Sequence, residues 1–163
     1  MILVVVGSST IPFDRLIRAI DDLPGEEEIV VQRGASQLVP ARGSTVDFMP
    51  FDAVVDTVRR ARAVVTHAGV GTILVSLMEG RRPIVMPRLK RYSEAVDDHQ
   101  LELGRRLAEE GLVTLIEDAS ELAAAVEQAV GGPPRALGGD GRLAGELRAR
   151  IRARVGDASP GAQ

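Results

Sequence analysis

Residues 63–87 read AVVTHAGVGTILVSLMEGRRPIVMP, and the pattern of this segment indicates the fold class. Ala63–Thr66 is a short apolar run, typical of a strand that is buried on both faces. A glycine-containing loop follows, and Thr72–Glu79 then forms an apolar helix that Gly80 ends. Pro83–Met86 is the next buried strand. A strand, a crossover helix and a second strand in this order predict a parallel βαβ unit.

The same alternation extends in both directions over residues 1–130. Further strands are predicted at Ile2–Val6, Glu28–Gln32, Val46–Met49 and Leu112–Ile116. Further helices are predicted with Pro12 in the opening turn of the first, and at Phe51–Ala61, Val96–Glu110 and Ser120–Val130. About six strands that alternate with helices predict an α/β fold with a Rossmann-like, doubly wound parallel sheet.

Three segments follow this single domain of residues 1–130. Residues 131–141 hold two prolines and five glycines, which predicts a linker. Residues 142–155 are predicted to form an arginine-rich amphipathic helix, and residues 156–163 are predicted to be a disordered tail.

Composition excludes several classes of function. Aromatic residues make up 2% of the chain, which excludes a platform for stacking nucleic-acid bases, and a net charge of −3 attracts no DNA. We therefore expect no nucleic-acid partner. Cysteine is absent, which rules out thiol catalysis and cysteine-bound zinc. No apolar run is typical of a signal peptide or a membrane span, so we expect a cytoplasmic protein.

Sheets of this kind bind ligands at the carboxyl ends of their strands, so the loops after the strands are the candidate sites. The first such loop is Gly7-Ser8-Ser9-Thr10. Its glycine permits a close approach of the backbone, and its hydroxyls together with a helix start suit a phosphate. The alternative is a capped turn that holds no ligand.

The second loop, HAGVGT at residues 67–72, is the stronger candidate. Free N–H groups at the start of a helix and the helix dipole favour an anion, and Thr72 adds a hydroxyl. The loop is not a dinucleotide fingerprint, because Leu74 stands where a third small residue is needed. His67 either donates to a phosphate or is satisfied by a backbone carbonyl.

The third candidate is DDHQ at residues 97–100, at the start of a predicted helix. Its side chains either cap the helix or bind sugar hydroxyls. Just before it, residues 81–91 hold five positive charges and no acid. Such a segment suits a diphosphate, an anionic lipid surface or an acidic partner, or is a solvated surface loop.

Together these motifs resemble the C-terminal domain of family 28 glycosyltransferases. The resemblance rests on HAGVGT at residues 67–72, GRRPIVMP at 80–87 and DHQ at 98–100, in that order. VGSST at 6–10 is similar to small stand-alone members, among them the soluble subunit of the dolichol-linked N-acetylglucosaminyltransferase. Residues 88–100 are most similar to the PssE-type proteins of bacterial exopolysaccharide synthesis. The likeness covers residues 1–130 and implies the C-terminal half of a GT-B glycosyltransferase.

The resemblance implies a site for a UDP-sugar donor. It assigns the donor diphosphate to the first two loops, at Gly7, Ser8, Ser9, His67, Gly69, Gly71 and Thr72. It assigns the donor sugar to the third loop, at Asp97, His99 and Gln100. Arg88 and Arg91 are candidate contacts to phosphate or to a partner.

One position departs from the family pattern. Many relatives bind the ribose through a glutamate three residues after the threonine, and here that residue is Val75. The missing carboxylate should weaken donor binding or transfer the ribose contact to another group. No cofactor and no metal are implied, because no Asp-x-Asp motif is present in these loops.

The resemblance also implies the activity, that of an inverting hexosyltransferase. The chain would transfer a hexose, a uronic acid or an N-acetylhexosamine to a lipid-linked acceptor. The general base is expected on a membrane-associated, acceptor-binding partner subunit, which would recruit this chain to the inner face of the cell membrane.

Two other functions compete with this one. A non-catalytic nucleotide-sugar-binding or scaffold protein is favoured by Val75. An NAD-dependent oxidoreductase is disfavoured by the missing third glycine and by Gln32 and Arg33, which stand where an acid is needed.

Overall fold

The computed structural model describes residues 1–131. The strands are β1 (Ile2–Val5), β2 (Ile29–Gln32), β3 (Ser44–Val46), β4 (Ala63–Thr66), β5 (Ile84–Val85) and β6 (Thr114–Leu115). The helices are α1 (Asp14–Ala19), α2 (Phe51–Arg60), α3 (Val70–Met78), α4 (His99–Glu109) and α5 (Leu122–Gly131), with short 3-10 turns at Lys90–Tyr92 and Ala119–Glu121. From residue 132 onward, the predicted linker, the helix at 142–155 and the tail at 156–163 lie outside the described residues.

The strands form one parallel sheet in the order β3-β2-β1-β4-β5-β6. Leu3 of the central strand β1 pairs with Val30 on one side and with Val64 on the other. The chain builds outward from β1 to β3 and then returns to β4, so the strand order reverses between β1 and β4. This confirms the predicted Rossmann-like sheet. In sheets of this kind the point of reversal is where ligands bind, so the loops after β1 and β4 are the candidate site.

Alternate residues of the buried strands supply two aliphatic layers, one on each face of the sheet. Ile2 and Val4 pack in the layer that includes α1 and α5, whereas Leu3 and Val5 pack in the layer that includes α2 and α3. A fully buried aliphatic side chain of this size stabilises the fold by about 1.5–3 kcal/mol. The two layers hold the sheet, and the sheet positions the loops at its carboxyl edge.

Three helices, α1, α4 and α3, begin at other residues than predicted, and all three lie next to the candidate site. The first helix begins at Asp14 rather than with Pro12, and the N–H of Phe13 before it donates to Ser36 Oγ at 2.9 Å. Helix α4 begins at His99 rather than at Val96. Before α4, the Asp97 carboxylate accepts the N–H of His99, a local bond that competes with helix formation.

Helix α3 also differs, because it begins at Val70, two residues before the predicted start at Thr72. Gly69 precedes it in an extended conformation, so the helix follows the end of β4 more closely than the sequence indicated.

In residues 1–131, none of the helices combines the length and the apolar character that crossing a membrane requires.

Candidate functional site

The three predicted loops meet at the carboxyl edge of the sheet. Residues 7–13 follow β1, residues 67–69 follow β4 and residues 86–98 follow β5, and these three strands are neighbours. Side chains that are distant in the sequence therefore surround one crevice, at the place where the strand order reverses.

The His67 imidazole lies against two of the predicted glycines. A Cβ atom on Gly7 would lie 2.6 Å from His67 Nε2, and a Cβ on Gly69 would lie 2.2 Å from the same atom. Both glycines are therefore needed for the ring to occupy its position. The sequence predicted that Gly69 makes room for a ligand, but in the structure the neighbour that requires it is His67.

Burial keeps the His67 ring neutral. Its pKa falls to about 4, chiefly because burial penalises the charged form and secondly because the Arg88 guanidinium is near. The Val5 carbonyl accepts the backbone N–H of His67 at 3.3 Å, and Thr66 Oγ1 lies 3.4 Å from Nδ1. A neutral imidazole keeps one N–H for donation, so the ring can donate a hydrogen bond to an oxyanion without carrying a charge.

The start of α3 has the features that favour anion binding. Gly69 is its N-cap and no side chain caps the helix, so the first N–H groups lack an intrahelical partner. Gly71 has open space where a Cβ would be, whereas Gly69 does not. Thr72 is half-buried on the first turn. Free N–H groups, a bare backbone and a hydroxyl together form a site that suits a phosphate.

The loop after β1 approaches the same crevice from the other side. Gly7 adopts a φ of 83°, which favours glycine. Ser8 and Ser9 are exposed, and Ser9 Oγ accepts the N–H of Ile11 at 3.1 Å. Because α1 begins only at Asp14, the expectation that these hydroxyls lie at a helix start was wrong.

Sequence reasoning missed the residue that anchors this loop. The Gln32 side chain is 3% exposed and hydrogen-bonds both the N–H and the carbonyl of Gly7. The available signal was a glutamine that ends an otherwise apolar strand, which requires buried polar partners.

Arg88 lies beneath the loops and is 2% exposed. Its Nη1 donates to the carbonyls of Ile11 and Pro12 at 2.7 and 3.1 Å, and its Nη2 donates to Val6 at 3.0 Å. Its guanidinium also lies 4.8 Å from the centre of the Phe13 ring. Arg88 thus holds the loop after β1 in place through these hydrogen bonds, and its positive charge helps to lower the pKa of His67.

A buried ion pair holds the loop after β5. Arg15 Nη2 lies 2.8 Å from Glu94 Oε2 and also donates to the Pro87 carbonyl at 2.7 Å. Glu94 in turn accepts the N–H of Leu89 at 3.1 Å. Sequence reasoning missed this pair, because 79 residues separate its partners.

The third segment is ordered by its own side chains. Asp97 Oδ2 lies 2.8 Å from His99 Nδ1, which raises the pKa of His99 and accompanies a lowered pKa of Asp97. Gln100 Oε1 accepts the N–H of Arg88 at 3.1 Å, and Asp98 Oδ1 accepts that of Lys90 at 3.0 Å. These side chains lie at the carboxyl edge and fix the loop after β5 to the start of α4.

The five positive charges of residues 81–91 do not form one patch. Strand β5 separates Arg81 and Arg82, at its amino end, from the other three at its carboxyl end. Arg82 donates to the Val113 carbonyl at 2.9 Å. At the carboxyl edge Arg88 is buried, which leaves Lys90 and Arg91 exposed, with the Arg91 guanidinium 5.0 Å from the Tyr92 ring centre.

Val75, the position where many relatives have glutamate, is buried in the core beside Leu3 and Val5. Glu79, one turn further along α3, pairs instead with Arg59 of α2 at 3.2 Å. Neither residue provides a polar group at the crevice.

A cleft of about 600 Å³ lies along α1 and is lined in part by the loops after β1 and β5. Arg15, Arg18, Tyr92 and Ala119 are among its lining residues. Within residues 1–131, no group of three histidine, aspartate or glutamate side chains is placed to hold a metal ion.

Comparison with known proteins identifies the family. Residues 1–137 match the glycosyltransferase family 28 C-terminal domain. The chain belongs to this family. The human UDP-N-acetylglucosamine transferase subunit ALG13 is 30% identical over an alignment of 123 residues, and the match covers 68% of this chain and 10% of the relative.

Solved transferase structures share the fold of this family 28 domain. The glycotransferase of kitacinnamycin is 23% identical with a TM-score of 0.59, over 96% of this chain and 41% of that one. MurG of Acinetobacter baumannii is 19% identical with a TM-score of 0.54, and the match covers 90% of this chain and 49% of MurG. The chain thus spans a tenth of the human relative and less than half of these transferases, and it has the fold of a GT-B C-terminal domain. The PssE subtype stays a prediction.

Proposed function

We propose that this family 28 domain is the donor-binding subunit of a two-component, inverting glycosyltransferase that uses a UDP-sugar. The observation that carries the proposal is the crevice between β1 and β4, where an uncapped helix start, a neutral histidine and open space above Gly71 adjoin. Such a set binds a diphosphate through N–H groups rather than through a full positive charge.

In this proposal each predicted residue has a separate task. The start of α3 with Gly71 and Thr72 holds the diphosphate, His67 donates one N–H, and the loop at Gly7, Ser8 and Ser9 closes the other side. Asp97, His99 and Gln100 lie at the same carboxyl edge, after β5, and bind the donor sugar. Transfer is then a single displacement at the anomeric carbon, and the helix start stabilises the leaving UDP.

The donor is UDP bearing a hexose, a uronic acid or an N-acetylhexosamine. UDP-N-acetylglucosamine is the first donor to test, because the human relative carries that sugar nucleotide in its name. With Val75 in the core, the ribose contact is assigned to another group at the carboxyl edge.

The acceptor site and the general base are assigned to a partner subunit. The human relative is named as a transferase subunit, which supports a second chain that completes the enzyme. We propose that the partner is membrane-associated, presents a lipid-linked acceptor at the cytoplasmic face and contacts Arg91, in a PssE-type system.

A reconstitution assay tests this function. Membranes from the source organism, deleted for this chain, are incubated with labelled UDP-sugar, and transfer to the lipid fraction is measured after the purified chain is added back. We expect the wild-type chain to restore transfer and Thr72→Val to abolish it, because the substitution removes a hydroxyl at the helix start. Thr114→Val, on β6, is the matched control and should restore transfer.

Two results would contradict the proposal. Full transfer by the deleted membranes without added chain would make the chain dispensable for catalysis. Equal restoration by Thr72→Val and wild type would favour the scaffold function, which needs the fold but not the donor site.

A further inference from the structure

Gln32 is a buried polar residue that the proposed function leaves without a role. It ends β2, and its side chain is 3% exposed. Its Nε2 donates to the carbonyls of Gly7 and Asp47, both at 3.0 Å, and its Oε1 accepts the N–H of Gly7 at 3.1 Å. Both N–H groups of the amide and its oxygen are thus occupied by backbone groups.

The sheet does not need this side chain for its own pairing. The β1–β2 ladder runs from Ile2 opposite Ile29 to Val5 opposite Gln32, and Val6 then donates its N–H to the Gln32 carbonyl at 3.1 Å. Gly7 turns away with a φ of 83° and ends the strand. Here the carboxamide takes the place of the next peptide group and bonds both polar groups of Gly7.

The position of Gly7 determines one wall of the crevice. A Cβ on Gly7 would lie 2.6 Å from His67 Nε2, so the Gly7 backbone and the imidazole are in close contact. On its other side, a Cβ on Gly34 would lie 2.9 Å from the Gly7 carbonyl oxygen. A shift of the Gly7 peptide therefore changes the packing of His67.

We propose that Gln32 is a positioning residue of the donor site, which acts through the Gly7 peptide on the first loop and on the His67 ring. The inference rests on the proposed function. An amide is required because the side chain must donate hydrogen bonds to two carbonyls and accept one from an N–H group. Methionine has the same length and offers none of these bonds, and a glutamate carboxylate would face two carbonyl oxygens.

The test compares Gln32→Met with Gln37→Met, the same substitution at an exposed position on the neighbouring loop. Affinity for UDP is measured by calorimetry, and the His67 ring protons of the ligand-free protein are followed by NMR against pH. The chain has two histidines, so His99→Gln as the background leaves His67 alone in the spectrum.

We expect Gln32→Met to raise the Kd for UDP about tenfold or more, since the loop loses three hydrogen bonds. The pKa of His67 should rise from about 4 toward its ordinary value as the ring loses its packing. Gln37→Met should change neither quantity. Gln32→Glu, which keeps the shape, should behave as Gln32→Met does at neutral pH.

A folded Gln32→Met with an unchanged His67 titration and an unchanged Kd would overturn the proposal. If the wild-type chain does not bind UDP, the proposed function fails, and the His67 titration alone then decides whether Gln32 positions the ring. If Gln32→Met does not fold, Gln32→Glu takes its place. If neither variant folds, Gln32 is a folding residue and the proposal is overturned.

Discussion

Replacing Gly69 by alanine is expected to disturb the site through one side chain, the His67 ring. The new Cβ would lie 2.2 Å from His67 Nε2 and 2.4 Å from Cε1, distances that side chains do not tolerate. Backbone strain is not involved, because Gly69 has a φ of −83° and a ψ of 121°, which alanine adopts freely. The ring cannot simply shift within its position, since the same edge already contacts Gly7.

The magnitude follows from two opposing effects. Overpacking lowers the free energy of unfolding by about 1–3 kcal/mol. Alanine also reduces the conformational entropy of the unfolded chain, which raises the free energy of unfolding by about 0.4–1 kcal/mol. We expect Gly69→Ala to lower the free energy of unfolding by about 1–2 kcal/mol. Gly71→Ala is the matched control, because a Cβ there meets nothing within 4 Å. In a helix it should stabilise by about 0.5–1 kcal/mol.

Urea denaturation of a double-mutant cycle measures the effect. In a His67→Ala background the clash partner is gone, so Gly69→Ala should become neutral or stabilising, with a coupling energy of about 1 kcal/mol or more. An equal destabilisation in both backgrounds would show that the cost of the Gly69→Ala substitution does not come from a clash with the His67 ring.

Three further predictions concern charge. Because folding keeps His67 neutral with a pKa of about 4, whereas the unfolded chain binds a proton below about 6.5, stability should fall as the pH falls from 6.5 toward 4, by up to about 3 kcal/mol. Urea denaturation at several pH values should show that His67→Gln lacks this component, and an unchanged profile would argue against the buried neutral ring. Glu94→Ala leaves Arg15 without its buried partner and should cost about 3–5 kcal/mol in thermal or urea unfolding, against less than about 1 kcal/mol for Glu117→Ala at an exposed pair. Asp97→Asn should lower the pKa of His99 in an NMR titration, because it removes the carboxylate that raises it, and no change would mean that the pair does not form in solution.

Most of the fold was predictable, because buried parallel strands are recognisable in the sequence as continuous apolar runs. Ala63–Thr66 has the same bounds in the structure as in the prediction, and the alternation of strands with helices predicted the parallel sheet. The order of the strands within the sheet was not predicted. The length of strand β5 was overestimated, because the prediction was Pro83–Met86 and the strand in the structure is Ile84–Val85. Apolar residues continue beyond the ends of a ladder, so composition does not mark where pairing stops.

The candidate site was predictable in its position but not in its internal contacts. The loops could be placed from topology, because every parallel strand ends at the same edge. The tasks of Gln32 and Arg88 could not, because their partners lie on the loop after β1 and depend on which strands are neighbours. Arg88 was grouped with nearby charges in the sequence, although three of its guanidinium hydrogen bonds go to carbonyls 76–82 residues away.

Calorimetric titration of the purified chain with UDP, with NAD as the control ligand, measures whether the chain has a binding site for UDP. We expect UDP to bind with a Kd below about 1 mM and NAD not to bind, and we expect Thr72→Val to weaken UDP binding while Thr114→Val does not. Binding of NAD, or no heat from UDP at millimolar concentration, would contradict a diphosphate site for UDP between β1 and β4.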